Sequence, residues 1–92
     1  MSIEIGNTAP VSHFPSLKAG ALLRILCREP LNYSVVSKRG KGSHRILKAS
    51  GRQDIIFGFH DGTTIPPGIV RKILTINAGL SLEEALALVR KR

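Results

Sequence analysis

Apolar residues recur every three or four positions near the start of the chain, which is the spacing of a helix with one buried face. The stripe consists of Leu17, Ala21, Leu22, Ile25 and Leu26. Ser16 stands where a hydrogen-bonding N-cap belongs, and Pro30 lies where a helix has to stop. The pattern therefore predicts an amphipathic helix over residues 17–28.

Three short segments follow that are rich in β-branched and aromatic residues and are separated by glycine-containing turns. They predict strands over 33–38, 43–49 and 54–60, and the short turns favour an antiparallel meander. Alternation divides the third strand into two faces, Ile55, Phe57 and Phe59 on one and Ile56, Gly58 and His60 on the other. In the second strand His44, Ile46 and Lys48 share a face, and the sequence leaves open whether that face meets solvent or a helix.

Two further helices are predicted towards the C-terminus. Pro67 suits the first position of a helix, and Gly79 suits its C-terminal cap. The expected buried stripe between them is Ile69, Val70, Ile73, Leu74 and Asn77. Ser81 and Glu84 have the spacing of a capping box, so a third helix is predicted to follow.

These elements predict an α+β fold: a small α-β-β-β-α domain in which a three-stranded antiparallel sheet packs on two helices, plus a short C-terminal helix. The chain is expected to divide into a flexible N-terminal extension over 1–15, a domain over 16–80 and a helix over 81–92. Two helices would cover one face of the sheet and leave the other face available for binding.

Net charge, apolar content and the numbers of cysteine and histidine residues limit which partners, compartments and cofactors are expected. The 92 residues carry a formal net charge of +8, which indicates an anionic partner. No apolar stretch approaches the roughly 18 residues of a spanning helix, so no membrane association is expected. Cys27 is the only cysteine, which excludes an internal disulfide and favours a reducing, cytoplasmic compartment. One cysteine and three scattered histidines lack the usual zinc-site spacing, and no metal or small-molecule cofactor is expected.

Four basic residues fall within eight positions of the middle of the chain: Lys38, Arg39, Lys41 and Arg45. A run of this kind attracts phosphate whatever the base sequence. His44 lies inside the run, and an imidazole titrates near neutrality, so it can accept or donate a proton beside a bound phosphate. The alternative interpretation is a solvated basic hairpin with an incidental histidine.

Six short motifs follow one another over residues 16–80: Ser16-Leu17-Lys18, Lys41-Gly42-Ser43-His44, His60 after the third strand, Pro67-Gly68, the apolar–basic run 69–74, and Ala78-Gly79-Leu80. With these motifs in this order, residues 16–80 resemble the HicA messenger-RNA interferase toxins of bacterial and archaeal toxin–antitoxin pairs. The family's fold is similar to a double-stranded-RNA-binding domain, which agrees with the order of elements above. The chain departs from the usual pattern in having Glu29-Pro30 after the first helix, Arg45 after the histidine, and Gly58 in place of a proline.

The resemblance implies a toxin that cleaves messenger RNA without a metal, with His44 as the catalytic residue and a cognate HicB antitoxin bound over the active face. RNA is cut by its own 2′-hydroxyl when a base removes that proton and an acid protonates the leaving oxygen, and one imidazole can supply either step. The groups expected to bind RNA phosphate are Lys38, Arg39, Lys41, Gly42, Ser43, Arg45 and Lys48.

His60 is a second candidate site residue, either as another titrating group or as a group that caps the strand-to-turn junction. Two rival functions are compatible with the same charge. One is a non-catalytic RNA-binding module of the same fold, and the other is a basic protein whose main partner is an acidic protein.

Overall fold

The structure, a computed structural model, describes residues 14–38 and 44–91 of the chain. Its elements, in chain order, are β1 (Leu17–Lys18), α1 (Ala19–Cys27), β2 (Ser34–Lys38), β3 (Arg45–Lys48), β4 (Ile55–Phe57), β5 (Thr64–Ile65), α2 (Pro67–Lys72), a π-helical segment (Ile73–Asn77) and α3 (Leu82–Lys91). The predicted α+β order is confirmed, with two short strands that the sequence pattern did not reveal.

Strands β2, β3 and β4 form the predicted three-stranded antiparallel sheet, in that order. Lys38 pairs with Arg45 across β2 and β3, and Arg45 pairs with Phe57 across β3 and β4. A bulge interrupts the first ladder between Val35 and Ser37. Each strand is shorter than predicted: β2 lacks only the first residue of its predicted segment, whereas β3 and β4 lack residues at both ends.

The prediction that Ser16 caps the first helix is wrong. Strand β1 occupies the two following positions and pairs with β5, so the helix begins at Ala19, after an extended Lys18 that makes no side-chain cap. Thr64 and Ile65 form the partner strand β5.

The free N–H groups at the start of α1 are satisfied by the loop that follows β4. The backbone N–H of Ala19 donates to the carbonyl of Thr63 at 2.8 Å, and that of Gly20 donates to the carbonyl of Asp61 at 3.1 Å. Since the first N–H groups of any helix lack partners within it, this loop takes the place of a capping side chain.

Helix α2 begins at Pro67 as predicted, but its buried stripe differs from the expected one. Val70, Ile73 and Leu74 are buried, whereas Ile69 is 38 % exposed. The chain continues past α2 as a π-helical segment in which the N–H of Ala78 donates to the carbonyl of Ile73 at 2.9 Å.

The predicted end of this helical stretch and the predicted start of the next are both confirmed. Gly79 has a φ of +83°, the left-handed conformation that glycine adopts without cost, and the N–H of Leu80 donates to the carbonyl of Leu74 at 3.1 Å. Ser81 and Glu84 form the capping box: each backbone N–H donates to the other's side-chain oxygen, at 2.9 and 3.1 Å.

A single apolar core lies between one face of the sheet and the helices. The sheet contributes Leu47, Ile55 and Phe57, and the helices contribute Leu22, Leu26, Val70, Leu74, Ala85 and Val89. On the third strand the predicted alternation is confirmed, since Ile55 and Phe57 are buried while Ile56 is 73 % exposed. The face of the sheet that carries Ile56 is therefore open to solvent.

The predicted division at 1–15, 16–80 and 81–92 stays a prediction, because residues 1–13 and residue 92 lie outside the described residues. Phe14 is buried, and α3 contributes Ala85, Leu88 and Val89 to the same core as α1. Within the described ranges, no helix has the length and apolar character needed to cross a membrane.

Candidate functional site

Part of the basic run can be placed and part cannot. Arg39, Lys41, Gly42 and Ser43 lie outside the described residues, as does the side chain of Lys38. The backbone of Lys38 ends β2 opposite Arg45 at the start of β3. The predicted site residues with described side chains are therefore His44, Arg45, Lys48 and His60.

His44 stands immediately before β3, and its side chain is exposed. The ladder between β3 and β4 pairs Arg45 with Phe57, and one further step of the same register places His44 opposite Gly58. The imidazole lies over the backbone at Gly58, with Cδ2 and Nε2 as the nearest ring atoms. The face that carries His44, left open by the sequence pattern, is thus the solvent-facing side of the sheet.

Lys48 lies on the same open face as His44, four residues along β3. Its ammonium group is 2.7 Å from a carboxylate oxygen of Asp54, and both side chains are about half exposed. Ile46 lies between the two, beside the exposed Ile56 of β4. The described part of the open face therefore carries an imidazole, an apolar strip and an ion pair.

Arg45 points the other way. Alternation along β3 puts its side chain on the same side as the fully buried Leu47, and only 17 % of the Arg45 side chain is exposed. Its Nη2 donates to Asp61 Oδ1 at 3.2 Å, and its buried Nη1 has no hydrogen-bond partner among the described residues. The structure therefore separates Arg45 from His44, although the two are consecutive in the chain.

His60 is exposed and lies in the loop after β4, three residues beyond the end of the strand. Its carbonyl accepts a hydrogen bond from the N–H of Thr63 at 2.9 Å, which closes a turn of the backbone. Asp61 follows. Its carboxylate accepts a hydrogen bond from the guanidinium of Arg45, and its carbonyl accepts one from the N–H of Gly20. This loop therefore connects the start of β3 to the start of α1.

Not every basic residue near the run is free to bind a ligand. Arg52 donates from Nη1 to the carbonyl of Ala78 at 2.8 Å, at the end of the π-helical segment. Cations commonly satisfy carbonyls at such helix ends. In the part of the chain that the structure describes, no three histidine, cysteine or acidic side chains are grouped to hold a metal ion.

Sequence reasoning missed three residues that shape this site: Asp54, Asp61 and Gly58. Asp54 and Gly58 could have been found, because an antiparallel register that aligns residue 46 with residue 56 also aligns 48 with 54 and 44 with 58. Asp61 carries no such signal, since it lies in a loop whose course depends on the packing of α1.

The fold and the site define a class: a small, strongly basic α+β protein with an exposed histidine on the open face of its sheet. A comparison with protein-family models matches residues 19–80 to the family described as HicA toxin of bacterial toxin-antitoxin. The chain therefore belongs to the HicA toxin family. Searches among curated proteins and among solved structures return no match.

Proposed function

We propose that this protein is the toxin of a type II toxin–antitoxin pair, an endoribonuclease that cleaves messenger RNA without a metal and uses His44 as a general acid or base. The family match supports an activity on RNA in general. The observation that carries the specific proposal is the position of His44, exposed on the open face of the sheet and next to the basic run.

In the proposed reaction the 2′-oxygen of one nucleotide attacks the phosphorus that follows it, and the bond from phosphorus to the 5′-oxygen of the next nucleotide breaks. The products are a 2′,3′-cyclic phosphate and a free 5′-hydroxyl. A proton leaves the 2′-hydroxyl and a proton reaches the 5′-oxygen, so no water, metal or oxidant is consumed. The exposed imidazole of His44 can serve either transfer, which accounts for about 10²–10⁴-fold in rate.

Phosphate binding is assigned to the basic run around His44. Lys38, Arg39 and Lys41, with the backbone and hydroxyl of Gly42 and Ser43, immediately precede His44 in the chain. Lys48 lies on the same face, and to bind a phosphate it has to exchange its Asp54 partner for the RNA.

The guanidinium of Arg45 contributes from behind the sheet. It is mostly buried and Asp61 partly offsets its charge, so it contributes a weakened field from the far side of the sheet and makes no direct contact on the His44 face.

The proposed protein partner is a HicB-type antitoxin that covers the open face, and the proposed compartment is the cytoplasm. The open face combines the exposed Ile56 with the histidine and with charged groups, which suits a protein surface that buries an apolar strip and excludes RNA.

The test compares wild-type protein with His44→Ala on one RNA, in EDTA, with circular dichroism to confirm that both proteins are folded. We expect cleavage by the wild type and a loss of at least about 100-fold in the variant, because the proton transfers lose their catalyst. His60→Ala is measured beside it, because His60 is also exposed and is the second candidate site residue.

Two substrates sharpen this experiment. RNA that is 2′-O-methylated throughout, and DNA of the same sequence, both lack the nucleophile and should bind without being cut. Equal cleavage by wild type and His44→Ala would remove His44 from the mechanism. Binding without cleavage by either protein would instead identify a non-catalytic RNA-binding module.

A further inference from the structure

Gly58 is the residue directly across the sheet from His44. The β3–β4 ladder pairs Ile46 with Ile56 and Arg45 with Phe57, so the next cross-strand position on the open face joins residues 44 and 58. A β-carbon placed on Gly58 with ideal geometry would lie 3.1 Å from both Cδ2 and Nε2 of His44, and 3.8 Å from Cε1. The imidazole therefore occupies the space that a side chain at residue 58 would need.

The other described glycines are not crowded in this way. Around Gly51, Gly62, Gly68 and Gly79 nothing lies within 4 Å of such a β-carbon, and around Gly20 the nearest atoms lie at 3.6 Å. A separation of 3.1 Å is shorter than ordinary van der Waals contact between carbon atoms, which is about 3.5–4.0 Å. Gly58 is therefore the position, among the described glycines, where the missing side chain makes room for another residue.

We propose that Gly58, which in this chain takes the place of the usual proline, is a positioning residue for His44: its lack of a side chain lets the imidazole lie on the backbone directly after β4. This inference rests on the proposed function, because positioning matters only if His44 handles protons. The backbone at Gly58 shields one side of the ring at its Cδ2–Nε2 edge, and the ring is otherwise exposed. This contact with the backbone at Gly58 restricts the directions in which the imidazole can present its nitrogens to RNA.

A side chain at residue 58 has to displace the imidazole and not the strand. The backbone of β4 is held by its pairing with β3, and Phe57 is fully buried in the core beside residue 58. The His44 side chain lies at the surface and can rotate. An alanine therefore moves the ring by a few tenths of an ångström, and the branched valine moves it further.

The expected effect falls on the chemical step. Nε2 is one of the two ring nitrogens that exchange protons, and it is one of the two atoms that a new side chain would crowd. A misplacement of about 1 Å in a catalytic group can cost about 100-fold in rate. Phosphate binding depends on other residues, so KM should change less than kcat.

The experiment measures the geometry and the activity separately. Nuclear Overhauser contacts between the His44 ring protons and the Gly58 α-protons report this packing in the wild type, with no reference to catalysis. Single-site RNA cleavage then gives kcat and KM for Gly58→Ala and Gly58→Val. Gly68→Ala is the matched control, because its β-carbon would meet open space in an exposed position. Amide spectra confirm that each variant is folded.

We expect the contacts to be present, kcat to fall about tenfold in Gly58→Ala and about 100-fold in Gly58→Val with KM nearly unchanged, and Gly68→Ala to match the wild type. Should Gly58→Val not fold, Gly58→Ala and the wild-type contacts decide alone. Absent contacts, or a folded Gly58→Ala with wild-type kcat, would overturn the inference. If cleavage is insensitive to His44→Ala, the proposed function has failed, whether or not the contacts between His44 and Gly58 are present.

Discussion

At the scale of single residues, the two sides of β3 have different surroundings: one faces solvent and the other faces the core. His44 and Lys48 face solvent, whereas Arg45 and Leu47 face inwards. The only acidic side chain described in contact with the basic groups of the open face is that of Asp54, which lies 2.7 Å from Lys48. The charge of Lys48 is thus partly offset before any RNA arrives, and Asp54 limits how strongly this face attracts phosphate.

Replacing Asp54 by asparagine should therefore raise RNA affinity. The exposed pair contributes little to stability, and freeing Lys48 should strengthen binding by about two- to fivefold at low salt. Fluorescence anisotropy with 2′-O-methyl RNA, which cannot be cut, measures the change without interference from cleavage.

Glu83→Gln provides the control for charge alone, because it removes one exposed acidic charge from α3, away from the sheet. Lys48→Ala should change affinity in the opposite direction. If Asp54→Asn and Glu83→Gln raise the affinity equally, the gain comes from net charge and the local pair has no special role.

At the scale of elements, the long periodic segments were predictable and the short ones were not. Leu22, Ile25 and Leu26 of α1 and the alternation of β4 carry signals that recur over several residues, and the capping box of α3 is a pair of residues at a fixed spacing. Strands β1 and β5 have two residues each, too few for a period, and their pairing depends on residues 17 and 65 meeting in space. This long-range pairing is also why Ser16 failed as a predicted cap.

In the site, too, the residues marked by local sequence were predictable, and those placed by long-range contacts were not. His44 was recognisable from its neighbours in the sequence, because charge and residue type are local properties. The inward direction of Arg45 was not, since it depends on its contact with Asp61 sixteen positions away. Residues 39–43, which carry most of the predicted phosphate ligands, lie outside the described residues, so their roles rest on sequence alone.

The capping box of α3 predicts a dependence of stability on pH. Hydrogen bonds from the backbone N–H and the hydroxyl of Ser81 lower the pKa of Glu84 below its ordinary value. A carboxylate whose pKa is lower in the folded state stabilises the fold at pH values above the pKa that the same carboxylate has in the unfolded chain. That contribution is lost as the pH falls through the lower, folded value.

Ser81→Ala removes the hydroxyl that accepts the Glu84 backbone N–H, and the loss of such an N-cap should lower the free energy of unfolding by about 1 kcal/mol. Glu84→Gln should flatten the loss of stability in the acid range. Urea denaturation between pH 3 and pH 7 measures both, with Glu83→Gln as the neighbouring carboxylate outside the box. If the free energy of unfolding of Glu84→Gln falls with acid as steeply as that of the wild type, the capping box does not contribute to the pH dependence of stability.

At the scale of the whole molecule, the charge is distributed unevenly along the chain. The sequence holds fourteen lysines and arginines against six acidic residues, and none of the acidic residues falls between Glu29 and Asp54. That interval contains β2 and β3, which form two of the three strands of the open sheet. The positive charge is therefore concentrated on the part of the molecule that includes His44.

Binding to RNA should consequently depend steeply on salt. Each phosphate neutralised on a single strand contributes about −0.7 to the slope of log K against log salt, so three or four contacts imply a loss of about tenfold or more between 50 and 200 mM salt. DNA of the same sequence should show a similar slope, because its phosphates are the same. A slope near zero would show that the net charge is not the source of affinity and would favour a partner other than nucleic acid.

Because side chains alternate between the two faces of β3, the pairing register of this strand decides which residues meet solvent, and so affects the proposed function as well as stability. A slip of the strand by one residue would exchange the two faces, turning the imidazole of His44 inwards and sending the guanidinium of Arg45 out to solvent. The same slip would expose Leu47 and break the alignment of Lys48 with Asp54. Insertion or deletion of a single residue between His44 and Leu47 would likewise place the imidazole on the other face relative to the buried leucine, so this spacing keeps the proposed acid–base group on the outside.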